Sequence, residues 1–328
     1  MSGVTVVVPS WNRRDLLVRL IGSLGRQSHP IEEIVVADNG STDGSAEDAE
    51  RLGVRVLRLG ANLGFSRAVN SGIQAARSPW VAIVNNDVEP APDWLARLAQ
   101  EFRSKDVWFA TGKLLDAKRR GFIDGTFDAI CRGGCVWRAG HGRRDGREWS
   151  QRQLVRLVPF TAALFRAELF EKVGLLDERF ESYLEDVDFS LRSARRGFRG
   201  MYVPEAVAYH AGSATLGAWH PDTVRRMARN QLFLVAKHYP DRWLLRYGWP
   251  VLVAQGLWGA LAARHGAALS YLGGKLEGLR QFRTVRAASR EGDAGDLGSI
   301  LEESEAELWE IQQQTGFDLY WRLYFGLT

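Results

Sequence analysis

The chain has 328 residues, 45% of them apolar and 25% charged, with 43 Lys and Arg against 39 Asp and Glu for a formal net charge of +4. These proportions exclude a disordered or low-complexity chain and describe a globular protein with a large core. The balance leaves no expectation of a nucleic-acid partner, while a sequence pI near 9.2 and the pairs Arg143-Arg144, Arg195-Arg196 and Arg225-Arg226 leave room for anionic ligands. Cys131 and Cys135 stand as a lone C-x3-C, which indicates neither a disulfide framework nor a zinc site. The first strand starts within four residues, leaving no room for a signal peptide, so the expected location is cytoplasmic.

Residues 4–8 are a β-branched run ended by Pro9. Asn12 can cap the helix that follows, with Asp15 three residues on, and Leu16, Leu17, Leu20, Ile21 and Leu24 recur at helical spacing. A second strand, 34–37, runs into the turn-forming DNGSTDG at 38–44; a short helix and a third strand, 54–59, follow. Next come Asn62-Leu-Gly-Phe65 and a helix with Phe65, Ala68, Val69, Gly72, Ile73 and Ala76 on one face. The run 80–84 reads as a strand buried on both faces, stopping at Asn85, Asn86 and Asp87 before Pro90 and Pro92. Strands alternating with helices predict right-handed βαβ units and a mostly parallel sheet.

Ligands in such sheets bind beyond the carboxyl ends of the strands. Ser10 and Asn12, Asp38, Asn62 and Asn70, and Asn85 to Asp87 are all expected at that rim. A carboxylate beside amides there suits a divalent cation that itself holds a diphosphate, since hard cations take oxygen ligands and leave part of their shell to substrate. The plain alternative is a polar turn with Asp87 solvated. No G-x-G-x-x-G follows the first strand and no Walker A loop is present, which disfavours an NAD-type fold.

Residues 107–115 predict a strand, and the Gly- and Arg-rich stretch 121–149 a long loop, either a phosphate-closing lid or a disordered insertion. A strand-like run, 157–165, and a short helix, 167–173, precede the acidic Glu185-Asp-Val-Asp188. Three carboxylates in one first turn fit the helix dipole, with an Asp–Arg192 pair as the plain reading; they also fit a general base held at a helix start. Strands at 198–203 and 206–210 follow, the last ending in His210, a structural histidine or a metal ligand.

The ordered set Val8-Pro-Ser-Trp-Asn12, Asp38-Asn-Gly-Ser-Thr-Asp43, Asn62-Leu-Gly-Phe65 with Asn70, Asn85-Asn-Asp87, Glu185-Asp-Val-Asp188 and Val203-Pro204 leading to His210 resembles family 2 glycosyltransferases, particularly the bacterial rhamnosyltransferase-like branch. The resemblance covers about residues 3 to 240. It implies an α/β GT-A (nucleotide-diphospho-sugar transferase) fold with a mostly parallel central sheet flanked by helices: a catalytic domain over 1–240 and a helical C-terminal extension over 241–328. It implies an inverting, metal-dependent transfer from a nucleotide diphosphate sugar, such as dTDP-rhamnose or a UDP-sugar, to a cell-envelope glycan or polyprenyl-linked acceptor. Pro9, Ser10, Asn12 and Asp38 would line the nucleotide pocket, Asn62 and Asn70 would hold elements around the donor, and Asn85 and Asn86 would join them. Asp87 and His210 would bind Mn2+ or Mg2+, Asp87 in the family's D-x-D position, where this sequence has Asn85 in place of the first Asp. Asp186 would be the base, with Glu185 orienting it or sharing its charge. The rivals are a sugar nucleotidyltransferase, which would want a Gly-rich loop after the first strand, and a non-catalytic nucleotide- or glycan-binding subunit on the same fold.

Residues 221–238 predict a basic helix. The apolar stretch 243–272, with an uncharged run of sixteen residues from Gly248 to Ala263, is short of a membrane span. It reads either as an interfacial pair of helices giving peripheral membrane contact or as a hairpin packed on the domain or across a homo-oligomer. A polar linker at 289–296, an amphipathic helix at 300–314 and an aromatic tail at 317–325 complete the chain.

Overall fold

The computed structural model describes residues 3–212, 219–288 and 296–328; the expected linker lies almost wholly outside them. The chain forms two units: Met1–Phe127 with Gly140–Thr215, and Asp128–Ala139 with Leu216–Thr328. The first unit thus runs to Thr215, and a short internal segment leaves it for the second.

In the first unit, β1 (Val4–Ser10), α1 (Arg14–Leu24), β2 (Glu33–Asp38), α2 (Ser45–Arg51), β3 (Arg55–Arg58), α3 (Phe65–Ala75) and β4 (Trp80–Val84) follow one another as the alternating pattern predicts. Then come β5 (Val88–Pro90), α4 (Trp94–Glu101), β6 (Val107–Asp116) and β7 (Ile123–Gly125). The second unit takes the hairpin β8 (Asp128–Ile130) and β9 (Val136–Arg138). The first resumes with β10 (Gln153–Val155), β11 (Ala162–Arg166), α5 (Ala167–Val173), α6 (Glu185–Arg195) and β12 (Arg199–His210).

The sheet runs β10-β12-β6-β11-β4-β1-β2-β3, with β5 added to β12 and β7 to β6. β1 is parallel to β2 and β4, and β12 to β6, while β11 is antiparallel to both β4 and β6. The strands β1, β2, β3, β4, β6 and β12 therefore share one direction and bring their carboxyl ends to one rim. Val81, Ala82, Ile83 and Val84 are all but fully buried, as an apolar run in a covered parallel sheet requires; burying each large aliphatic side chain contributes about 1.5–3 kcal/mol.

Three expectations are corrected. Pro9 does not end β1, which runs through to Ser10; pairing with β4 has already stopped at Val7↔Ile83. The predicted strands 198–203 and 206–210 are one strand. Pro204 is absorbed where the register against β6 shifts between Val203 and Val207, and the Ala206 carbonyl bulges to within 1.9 Å of where a Cβ on Gly112 would stand. The stretch 121–149 is not a disordered insertion: it holds β7, β8 and β9 and buries Ile123, Phe127, Ile130 and Trp149.

The second unit contains α7 (Pro221–His238), α8 (Trp243–Arg264), α9 (Ala268–Ala287), α10 (Leu297–Thr315) and α11 (Leu319–Leu327). Its β-hairpin is tied to distant helices. Ile130 N–H donates to Ser304 Oγ at 2.8 Å, Arg132 N–H to Glu305 at 2.6 Å, and the Tyr239 hydroxyl to the Arg132 carbonyl at 2.8 Å. Cys131 and Cys135 are buried free thiols, whose pKa values burial raises. The aromatic tail is a helix, α11, that buries Trp321 and Tyr324.

Candidate active site

The carboxyl ends of β1 and β2 are bound to each other and to the turn after β4. Asn39 N–H donates to the Ser10 carbonyl at 2.8 Å, and Asp38 accepts from Ser41 N–H at 3.2 Å. Ser41 Oγ in turn accepts from Asn12 N–H at 2.8 Å, while Asn12 Oδ1 accepts from Thr42 N–H at 3.0 Å. The Asn86 amide donates to Ser10 Oγ at 3.2 Å and to the Asn12 carbonyl at 3.4 Å. Ser10, Asn12, Asp38 and Asn86 thus form one hydrogen-bonded rim, with Pro9 just inside it.

Asn62 and Asn70 hold protein elements. Asn62 Oδ1 accepts from the Asn39 amide at 2.9 Å, so Asn39, which the motif reading passed over, fixes the 62–64 loop. Asn70, buried on α3, donates to the Leu176 carbonyl at 2.9 Å and accepts from Leu176 N–H at 3.0 Å. Its amide clamps α3 to the segment preceding α6.

The turn after β4 leads into β5, whose pairing with β12 sets Val88 opposite His210; Ala211 N–H donates to the Asp87 carbonyl at 3.0 Å. This register puts Asp87 Oδ1 3.2 Å from His210 Nε2. On the other side, β7 pairs with β6 and presents Asp124, whose Oδ2 lies 2.7 Å from His210 Nδ1. Short strands at the rim therefore assemble Asp87–His210–Asp124. Burial by itself would lower the His210 pKa, but hydrogen bonds to Asp124 and Asp87, with their charges, outweigh it and push the value up to about 9. Asp124 was not legible as a site residue; its only local signal is a lone strand-like Ile-Asp-Gly in a Gly- and Arg-rich stretch.

Whether these residues fit a divalent cation is a matter of spacing and donor type. Neighbouring ligands on an octahedral ion with bonds of about 2.1 Å lie about 3 Å apart, close to the 3.2 Å between Asp87 and His210. Asn85 Oδ1, two residues from Asp87, is a buried oxygen with no hydrogen-bond partner among the described residues, a donor a hard cation accepts. Among the described residues no three His, Cys, Asp or Glu side chains form a complete cage. The set fits a cation that draws the rest of its shell from substrate.

Asp186 enters from α6. Asn85 N–H donates to the Thr161 carbonyl at 2.9 Å, and Asp186 Oδ2 accepts from Phe160 N–H at 3.4 Å, so residues 160–161 bridge Asp186 to the end of β4. Glu185 is buried beside it. Asp188 is separated from both by its partner: fully buried, it accepts from Arg192 Nε at 3.1 Å, while Arg192 also donates to the Val173 and Leu175 carbonyls. The plain ion-pair reading thus belongs to Asp188.

Backbone strain concentrates here. The positive-φ non-glycine residues among the described residues are Asn12, Arg13, Glu181, Tyr183 and Leu184, in the two turns that lead into α1 and α6. Such conformations cost on the order of 1–3 kcal/mol each and persist where surroundings enforce them. Ser66 N–H donates to the Glu181 carbonyl at 2.9 Å, and Gly64, at φ +90, allows that carbonyl within 2.9 Å of where a Cβ would stand. The start of α6 is pinned by α3.

Residues 5–174, more than half of the chain, match the family described as Glycosyl transferase family 2. An N-acetylglucosaminyl-diphospho-decaprenol L-rhamnosyltransferase of Mycobacterium tuberculosis is 30% identical over 280 residues, covering 74% of this chain and 88% of its own. An uncharacterized protein of Sinorhizobium fredii is 29% identical over 240 residues, 69% of this chain; the match spans only 26% of that longer protein. Among solved structures, a mannosyltransferase of Pyrobaculum calidifontis in complex with GDP-Man and Mn2+ superposes with a TM-score of 0.53 at 19% identity, over 98% of this chain and 86% of its own.

Proposed function

The chain belongs to glycosyl transferase family 2, in its rhamnosyltransferase-like branch and with the GT-A fold, and from that premise we propose that it transfers a sugar from a nucleotide diphosphate to an acceptor hydroxyl with inversion, on a divalent cation held by Asp87 and His210. The observation that carries this reading is the meeting of Asp87 and His210 at 3.2 Å on the rim that Asp186 also reaches through residues 160–161. The solved mannosyltransferase holds Mn2+ and GDP-Man, which supports a cation and a nucleotide sugar here.

A bound Mn2+ or Mg2+ would supply Lewis-acid neutralisation of the charge that develops on the departing diphosphate. Asp124 accepts a hydrogen bond from the Nδ1–H of His210, which would leave Nε2, beside Asp87, as the ring nitrogen to hold a cation. Ser10, Asn12 and Asp38, braced by Asn86 and Ser41, shape the nucleotide pocket. Asp186 takes the proton of the acceptor hydroxyl as that oxygen attacks the anomeric carbon, a contribution of about 10²–10⁴-fold. The direct displacement needs no covalent intermediate, and the buried thiols Cys131 and Cys135 take no part. The donor is dTDP-rhamnose or a UDP-sugar and the acceptor a cell-envelope glycan or polyprenyl-linked sugar, a reading supported by the activity for which the mycobacterial relative is named. The test is NMR of the anomeric proton in freshly formed product, or in sugar released to water. Inversion is expected; retention would overturn the displacement mechanism.

A further inference from the structure

Exposed large apolar side chains gather in the second unit. α8 turns Leu245, Trp249 and Leu252 to solvent, at 84%, 58% and 63% exposure, and continues the same face with the exposed Gly256, Ala260 and Ala263. α9 buries Gly274 and Gly278 against α7 and on its opposite face exposes Leu269, Leu272, Leu276 and Leu279, ending in the exposed Arg280 and Arg283. α11 adds Leu319, Leu323 and Leu327; the Trp249 indole N–H donates to the Leu327 carbonyl at 2.7 Å, which joins this helix to the α8 face. A helix in water ordinarily keeps its polar side outward. Here the outward sides are the apolar ones, and isolated exposed leucines do not account for a set this large.

We propose that these faces of α8, α9 and α11 seat on an anionic lipid surface. Charge selects this occupant. The three helices carry one carboxylate, Glu277, against seven Arg and Lys side chains. Arg246 and Arg286 pair with Glu302 and Asp241, and Lys275 is turned inward onto Ala228 and Gln231, which leaves Arg264, Arg280, Arg283 and Arg322 exposed. Glu277 is already held by Arg225 at 2.6 Å and Arg229 at 2.9 Å. Arg280 and Arg283 extend the leucine stripe, Arg264 closes α8, and none of the three has an ion-pair partner among the described residues. Leucines with tryptophan on the apolar side and arginines at the margins form the pattern of a helix lying in the membrane interface. No helix among the described residues is long and apolar enough to cross a membrane, so the contact is along the surface. A second copy of the chain would meet these arginines with arginines, since the faces hold no acidic counterpart. The proposal names the surface from which a polyprenyl-linked acceptor would be drawn and rests on that part of the proposed function.

The test is co-sedimentation of the full chain with phosphatidylcholine vesicles, with and without phosphatidylglycerol. Strong binding is expected only to the vesicles containing phosphatidylglycerol. The pair Leu245→Glu and Leu276→Glu, both at exposed positions, should lower the partition coefficient by more than about tenfold. Arg280→Gln and Arg283→Gln should each lower it about fivefold, with the effect disappearing in high salt. Failure to bind anionic vesicles overturns the proposal, as does light scattering that shows a dimer dissociated by the same leucine variants, which would assign the faces to a second copy. Thermal shift with nucleotide diphosphates on the same preparations reads the donor site separately. Loss of vesicle binding with an intact shift leaves the transferase reading standing, whereas vesicle binding without a shift indicts that reading alone.

Discussion

Asp124→Asn keeps the shape of the side chain and removes the charge behind His210. In the structure the Asp124 carboxylate lies 2.7 Å from Nδ1, and both side chains are about nine-tenths buried. The carboxylate, an acceptor only, holds a proton on Nδ1 and leaves Nε2 as the nitrogen that a cation can take. An asparagine can turn its amide N–H toward Nδ1, which moves the ring proton to Nε2 and blocks the ligating lone pair. Removing the carboxylate behind a ligating histidine costs typically 10–100-fold in metal affinity, or about 1.4–2.8 kcal/mol. The assay is titration of Mn2+ against the folded variant in the presence of a nucleoside diphosphate, following free Mn2+ by electron paramagnetic resonance. An Mn2+ dissociation constant equal to that of the wild type, in a variant with a native circular dichroism spectrum, would refute the role given to Asp124.

Asp186→Asn, nearly isosteric, should leave donor binding intact and lower transfer by about 10²–10⁴-fold; wild-type turnover would remove Asp186 as the base. Without cation, stability should depend on pH through His210, whose pKa is raised to about 9 against about 6.5 in the unfolded chain. A raised value means that the stabilisation is complete below pH 6.5 and is lost as pH climbs to 9, a fall of about 3 kcal/mol measurable by urea denaturation; a flat profile across that window would contradict the Asp87–His210–Asp124 arrangement. Asn70→Ala strands the N–H and carbonyl of Leu176, so a loss of about 2 kcal/mol or more is expected in thermal unfolding, whereas a change within measurement error would show the clamp to be slack.

The parts of this architecture that rest on local pattern were legible in the chain. Residues 80–87 announce a buried strand ending in polar side chains, and the alternation up to residue 84 predicts the parallel half of the sheet. The carboxylates of 185–188 were legible as a helix start, although only the structure separates Asp188, held by Arg192, from Asp186. What escaped depends on partners far along the chain. The hairpin at 128–138 is held by Ser304 and Glu305, more than 170 residues later, so neither strand needs a periodicity of its own. Asp124 joins the site because a three-residue strand adds to the end of β6, and Pro204 stays within β12 because Gly112 makes room for the bulge. Three-residue strands and bulges carry too little sequence to be read without the neighbour that stabilises them.

The most direct test of the central claim, a nucleotide sugar held through a cation at Asp87 and His210, is a thermal-shift panel of nucleoside diphosphates and nucleotide sugars with and without Mn2+, run on the wild type and on Asp87→Ala. A ligand at 100 times its dissociation constant adds about 2.7 kcal/mol of stability. An upward shift with one nucleotide is expected, enlarged by Mn2+ in the wild type and indifferent to Mn2+ in Asp87→Ala. A shift that ignores Mn2+ in the wild type, or one that Mn2+ enlarges equally in both proteins, would contradict that claim.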